Sequence, residues 1–412
     1  MTTADRLLHG WWSESHGMSP TVPVRTACYD LHAAAGATLV EFHGFELPIR
    51  YTTITEEHLA TRNAAGLFDV AHMGCILVTG PDAINTFDRL TTQNVASIQE
   101  GRCAYTHFCD EEGFIIDDMI FAVTTCDEVV RTGLAQIEDE GLCILGVPNA
   151  SMVKPIQTWL LEHLEGNNDV RFHQLSHSTA ILALQGPKAM EILDSALGIS
   201  AKRFQGTSFS STLIDVKGWV QGTGYTGESG VEIMIRHEDA PKVWSRLIDI
   251  GASFGLKPVG LGARDTLRLE KGYLLSGQDF IWPQLDGIED SPVPREVLAL
   301  RSVQSNVPFG IALDTEFIGR QGNLEVAADA NTSYLVGFQL VARGPPPRPG
   351  HTVESADGLH LGWVTSGAPS PTLDSAGIGL ALLSNISPGD EIHIRSSPRR
   401  CTLAKVTVPP FV

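Results

Sequence analysis

The chain lacks any apolar run approaching the roughly 18 residues that a membrane-spanning helix needs. Its first residues, Met-Thr-Thr-Ala-Asp-Arg, lack the basic segment and long apolar stretch of a secretory leader. No Cys-x-x-Cys pair occurs, and the seven cysteines stand apart at 28, 75, 103, 109, 126, 143 and 401. An odd, scattered set of thiols argues against a disulfide framework and against a metal site, and fits reduced cysteines in a cytoplasm. Positive charge is scarce, with 29 Lys and Arg against 48 Asp and Glu for a formal charge of -19. That balance disfavours attachment to nucleic acid or to an anionic membrane, both of which need an attractive field. It leaves room for a local basic pocket that takes a small anion.

What is present points to a folded protein of two or three domains, since 412 residues exceed what one core usually serves and 43% of them are hydrophobic. Residues 1–28 show little periodicity and read as an N-terminal extension. Thr53-Ile-Thr-Glu56 has capping-box spacing and predicts a helix over about 54–65. Gly74–Gly80 reads as a strand, after which Pro81 opens a second helix. The same grammar returns at Ala180–Gly186 and Pro187, which suggests two related α+β modules within residues 29–280. Residues 281–308, with Pro283, Pro292, Pro294 and Pro308, read as a linker or insert. From 309 to 412 short apolar runs broken by Gly and Pro predict an all-β terminal domain.

Three segments carry residues suited to chemistry. Gly222-Thr-Gly224-Tyr-Thr-Gly227 satisfies the dinucleotide pattern G-x-G-x-x-G, which works only where a helix comes next to hold the pyrophosphate. Here Gly230-Val-Glu-Ile-Met-Ile-Arg236 comes next and reads as a strand, so the nucleotide reading is rejected. The remainder is a glycine-rich hairpin presenting Tyr225, Glu228 and Glu232, either as a plain turn or as a ligand wall. In Tyr105–Asp118 the turn at Asp110–Gly113 places Tyr105 and Asp118 on two arms of a hairpin, with Asp117 and Asp118 facing opposite sides. One carboxylate can then enter a cavity while the other is solvated, or both can be merely exposed at a strand end. In Gly260–Gly272, Arg264, Arg268 and Lys271 fall on one helical face. An Arg there suits a carboxylate ligand, and a solvated face of intrahelical ion pairs is the alternative.

Taken in order, these segments resemble the glycine cleavage T-protein (aminomethyltransferase) family. The resemblance covers Glu57–Gly74, Arg89–Asn94, Leu184–Pro187, Gly224–Glu232, Gly260–Asp265, Phe317–Arg320, Val364–Gly367, Ser370–Leu373 and Pro410–Val412, collinear from about residue 29 to the end. It implies an α+β fold of three domains around a central channel, the last a β-barrel. It implies tetrahydrofolate as co-substrate, with Asp118 the catalytic carboxylate and Met73, Tyr105, Tyr225, Glu232 and Arg264 around the folate. It further implies a reaction in which a lipoyl carrier, the H-protein, brings an S-aminomethyl group, a folate nitrogen takes the carbon, and ammonia leaves. No metal is expected. The resemblance also admits a folate-dependent demethylase of a small sulfonium, amine or methyl ether. A non-catalytic folate-binding branch is marked by Lys-Gly-Cys-Tyr-x-Gly-Gln-Glu, and Lys271–Asp279 has no cysteine and one extra residue. The chain departs from the family pattern at 281–308 and at Val147-Pro-Asn149-Ala-Ser151.

Overall fold

The computed structural model describes residues 22–412 apart from 165, 167–168 and 286–290, so most of the extension expected over 1–28 lies outside the described residues. A six-stranded sheet runs in the order Gly206–Ser211, Val216–Gln221, Gly230–Arg236, Thr179–Gln185, Ala65–Asp69, Leu256–Pro258. A five-stranded sheet has the order Cys103–Cys109, Ile115–Thr125, Leu142–Pro148, Ile76–Thr79, Arg171–Gln174. The two sheets share a core in which Phe68, Ile181, Trp219 and Met234 meet Leu77, Ala122 and Leu145.

Strand Thr179–Gln185 shows how sequence produces this layering. Ala180, Leu182 and Leu184 face helices Ala189–Leu197 and Ala240–Gly251, whereas Ile181 and Ala183 face the other sheet. A strand covered on both faces reads as an unbroken apolar run, and this one does. Ile76–Thr79 is built alike: Ile76 and Val78 meet helices Ala83–Leu90 and Val153–Leu164, and Leu77 enters the shared core. Both strands lead into the expected Gly-Pro break and a helix. Helix Ile54–Asn63 begins where the capping spacing placed it, with Thr53 Oγ1 accepting from the Glu56 N–H at 3.2 Å.

Six strands, Ser333–Leu340, Ala376–Ser384, His360–Ser370, Thr352–Glu354, Glu391–Ser397 and Arg400–Thr407, close into a barrel in that order. The region from 309 is not β throughout, because helix Arg320–Ala328 precedes the first barrel strand. The described residues of the 281–308 stretch are docked against their neighbours. Ile281, Val293 and Leu298 bury one another, Leu300 O accepts from the Ile115 N–H at 2.8 Å, and Trp282 Nε1 donates to Asp110 Oδ2 at 3.0 Å. Its apolar residues are irregularly spaced, so no period announces this packing.

The barrel docks through an apolar patch, in which Leu335, Leu380 and Leu382 meet Leu269, Leu274 and Phe280, and through a polar hub at Glu270. Glu270 is fully buried and accepts from Arg62 Nη2 (2.8 Å), Ser370 Oγ (2.5 Å) and Thr372 Oγ1 (3.0 Å), with His58 Nε2 at 3.1 Å. Burial opposes its ionisation, but the hydrogen bonds of His58 and Ser370 and the charge of Arg62 hold its carboxyl down at about 2. A carboxyl with a folded pKa below its unfolded value adds stability above about pH 4.5, which is lost as pH falls towards 2. Glu270→Gln is expected to lower unfolding free energy by roughly 3 kcal/mol at pH 7. The deficit should shrink towards pH 3. Denaturant unfolding of both proteins across that range checks it, and a pH-independent deficit contradicts the charge assignment.

Candidate active site

Strands Cys103–Cys109 and Ile115–Thr125 pair antiparallel, with Tyr105 opposite Ile120, His107 opposite Asp118 and Phe108 opposite Asp117. Tyr105, His107 and Asp118 therefore share a face. The Tyr105 hydroxyl donates to Asp118 Oδ2 at 2.8 Å and lies 2.9 Å from His107 Nε2. Two arms of one hairpin thus bring together the pair expected from the turn at Asp110–Gly113.

Neither carboxylate of the Asp pair is freely solvated. Asp117 is completely buried, where it accepts from the Asn149 N–H (3.1 Å), Asn149 Nδ2 (2.8 Å) and Ser276 Oγ (3.0 Å). Asn149 Nδ2 also reaches Asp118 Oδ1 at 2.6 Å, so one amide bridges both acids. The readings that left one or both acids in water are corrected here. The strand end is roofed by Asn149, which comes directly after strand Leu142–Pro148, and by the loop containing Ser276. Burial pushes Asp118 up to about 6, with hydrogen bonds from Tyr105 and Asn149 pulling the other way and the charge of Asp279 adding to the rise. Burial and then the Asp118 charge drive Asp117 well above the usual carboxylate range.

The opposite wall comes from the glycine-rich hairpin, which leads into strand Gly230–Arg236 and not into a helix. Its glycines serve close packing, and a Cβ on Gly224 would collide with Gln185 Oε1. The Tyr225 hydroxyl donates to Leu274 O, its ring stacks on Tyr273 with centroids 5.9 Å apart, and the Arg264 guanidinium lies 4.7 Å from its ring centroid. Burial pushes the Tyr225 phenol up, and the charges of Arg268, Asp118 and Arg264 all act on it. The loop 273–280 joins this wall to the Asp117–Asp118 hairpin, since Leu274 O accepts from the Tyr225 hydroxyl and Ser276 Oγ donates to Asp117 Oδ1.

Glu232 is buried and takes Gln221 Nε2 (3.2 Å) and Thr223 Oγ1 (2.5 Å) on Oε2, and its Oε1 has no hydrogen bond among the described residues. Met73 is partly buried and packs against the core that the two sheets share. The basic face of helix Leu261–Glu270 divides by role. Arg268 is buried and pairs with Asp279 (2.7 Å) and Asp265 (2.8 Å), and Lys271 Nζ donates to Val412 O at 3.1 Å. Arg264 makes no ion pair or side-chain hydrogen bond among the described residues, although burial lowers its pKa against the pull of Tyr225 and Glu232. A poorly solvated, unpaired guanidinium is suited to a bidentate anion.

Sequence reasoning missed Asn149 and Asp279. The only local sign of Asn149 is an amide directly after the apolar strand 142–148, and Asp279 sits in a segment without periodicity. Among the described residues no group of three His, Cys, Asp or Glu side chains is arranged to hold a metal ion.

The Asp118 carboxyl binds its proton more tightly folded than unfolded, so its penalty is absent below about pH 4 and fully felt above about pH 6. Asp118→Asn is therefore expected to raise stability at pH 7.5 by on the order of 1–2 kcal/mol, with no gain at pH 4. Thermal unfolding at the two pH values checks this; equal shifts at both would contradict it.

Residues 28–284 match the GCVT N-terminal domain and residues 334–412 the glycine cleavage T-protein C-terminal barrel domain. The chain is 36% identical over 387 residues to an aminomethyltransferase of Halothermothrix orenii, covering 93% of this chain and 99% of that protein. It is 35% identical over 389 residues to one from Thermotoga petrophila, covering 94% and 97%. A glycine cleavage system aminomethyltransferase T from Bartonella henselae superposes with a TM-score of 0.74 at 27% identity, covering 94% of this chain and 98% of that one. The chain belongs to the glycine cleavage T-protein family of aminomethyltransferases, which are one-carbon transferases.

Proposed function

We propose that the protein takes a one-carbon unit from an S-aminomethyl group on a lipoyl carrier and passes it to tetrahydrofolate, with release of ammonia. The observation that carries this reading is the pair of walls joined through the 273–280 loop. One holds Asp118 between Tyr105 and Asn149, and the other offers Tyr225, Arg264 and Glu232. The groups suit a reduced folate. Glu232 has a free oxygen for the two N–H donors of a pterin edge, Arg264 is an unpaired cation for a glutamate carboxylate, and Met73, Tyr105 and Tyr225 supply apolar faces. In this reading residues 29–280 form the folate-binding body, and the 309–412 region closes it from one side.

Tetrahydrofolate supplies the nitrogens that accept the carbon. The protein's own work is alignment and charge. Tyr105 and Asn149 fix both oxygens of Asp118, so the carboxylate stands ready where positive charge grows on the reacting nitrogen. Being poised near 6, Asp118 can also hold a proton transiently close to neutral pH. The six buried cysteines are all free, which fits a reducing compartment such as the cytoplasm. No helix among the described residues is long and apolar enough to cross a membrane.

Asp118→Asn is expected to lower turnover roughly 100-fold, because the charge acts mainly in the transition state. Folate affinity measured by calorimetry should change by less than about fivefold. Unchanged turnover in a folded variant would remove Asp118 from the mechanism.

A further inference from the structure

His107 is a buried group that the mechanism above leaves unused. It sits on the central face of the hairpin directly opposite Asp118, fully enclosed, with its ring edge-on to Tyr105 at 5.2 Å and tilted towards Phe280 at 6.4 Å. Its Nε2 is 2.9 Å from the Tyr105 hydroxyl, while its Nδ1 is buried and has no hydrogen-bond partner among the described residues.

That asymmetry decides which ring nitrogen carries the proton. A buried N–H without an acceptor costs a lost hydrogen bond, so a proton on Nδ1 is disfavoured. Burial also lowers the His107 pKa to about 3, which leaves one N–H on a neutral ring. With that N–H on Nε2, the Tyr105 oxygen is the acceptor. Tyrosine has a single hydroxyl proton, and it is then committed to Asp118 Oδ2 at 2.8 Å.

We infer that His107 is a positioning residue that sets the direction of a hydrogen-bond chain running from His107 Nε2–H through the Tyr105 hydroxyl to Asp118. With the opposite tautomer the two acceptors would compete for one proton, and the Asp118 carboxylate would lose its donor whenever the imidazole won. The chain strengthens along its length, because a hydroxyl that accepts a hydrogen bond becomes a better donor. Its end-point is the carboxylate whose ionisation the reaction requires, so the inference rests on the role proposed for Asp118. The other ionisable groups around that carboxylate are Asp117 beside it, Asp279 from the 273–280 loop and Tyr225 from the facing wall.

The direct test is nitrogen-15 NMR of the histidine rings in the whole protein at pH 7.5. The expected result is a neutral His107 protonated at Nε2; a proton on Nδ1 overturns the inference, whatever the fate of Asp118. A kinetic test uses His107→Leu, which keeps the volume and removes the donor. The acid limb of its turnover-pH profile should move up by about 0.5–1 pH unit, since Asp118 loses part of its anion support. In a Tyr105→Phe background the same substitution should move the limb no further. An unmoved limb, or an equal shift without the tyrosine hydroxyl, reduces His107 to a packing residue. Should Asp118→Asn leave turnover intact while Nε2 is protonated, the chain stands and the catalytic role fails.

Discussion

The arrangement hangs on the buried ion pair between Arg268 and Asp279. Two charges removed from water carry a desolvation cost of several kcal/mol each, and such a pair persists only where hydrogen bonds use its remaining capacity. Here they do. Asp279 accepts from Arg268 Nη1 (2.7 Å), the Leu275 N–H (2.9 Å), Thr365 Oγ1 (2.6 Å) and Ser366 Oγ (2.6 Å), while Arg268 also donates to Tyr273 O (2.9 Å) and Ser366 Oγ (2.8 Å). The pair thereby ties helix Leu261–Glu270, the 273–280 loop and barrel strand His360–Ser370 into one unit. From that loop Leu274 O holds the Tyr225 hydroxyl and Ser276 holds Asp117. The Tyr225 wall and the Asp117–Asp118 hairpin are both referenced to a single loop, which a single charge pair fixes.

A second consequence is electrostatic. The Asp118 charge acts on Asp117 and the Asp279 charge on Asp118 in a protein already strongly acidic, and no cation pairs directly with either member of the Asp117–Asp118 pair among the described residues. Arg268 is spent on Asp279, and Arg264 stands over Tyr225 on the far wall. The fold thus tolerates a carboxyl raised by burial and a neighbouring acid, at the expense of stability near neutral pH. The Glu270 hub is the opposite arrangement, with a buried carboxylate supplied with a cation and several donors and held far down.

Much of this was legible in the sequence wherever a local rule governs. The Thr53 cap, the two strand–Gly–Pro–helix units and the Asp110–Gly113 hairpin come from short-range periodicity and turn chemistry. Gly222–Gly227 could be rejected as a nucleotide loop because Gly230–Arg236 has the alternation of a strand, and a strand it is. Contacts between distant segments could not be read. Asn149 reaches Asp117 across 32 positions, and Asp279 meets Ser366 across 87. The 281–308 stretch buries Ile281, Val293 and Leu298 without any period, and helix Arg320–Ala328 lies where an all-β region was expected. The burial of Asp117 and the contacts that cover Asp118 were likewise invisible, because alternation tells which way a side chain points and not what covers it.

The proposed reaction moves an aminomethyl carbon from a carrier-bound sulfur to a reduced folate. Its most direct test is a single-turnover experiment with the purified full chain, tetrahydrofolate and a lipoyl carrier protein loaded with the aminomethyl group. The expected products are ammonia and methylenetetrahydrofolate in equal amounts, with the carrier thiol freed in step. Absence of ammonia, together with methyl transfer from a small sulfonium, amine or methyl ether, would contradict it and assign the site to demethylation.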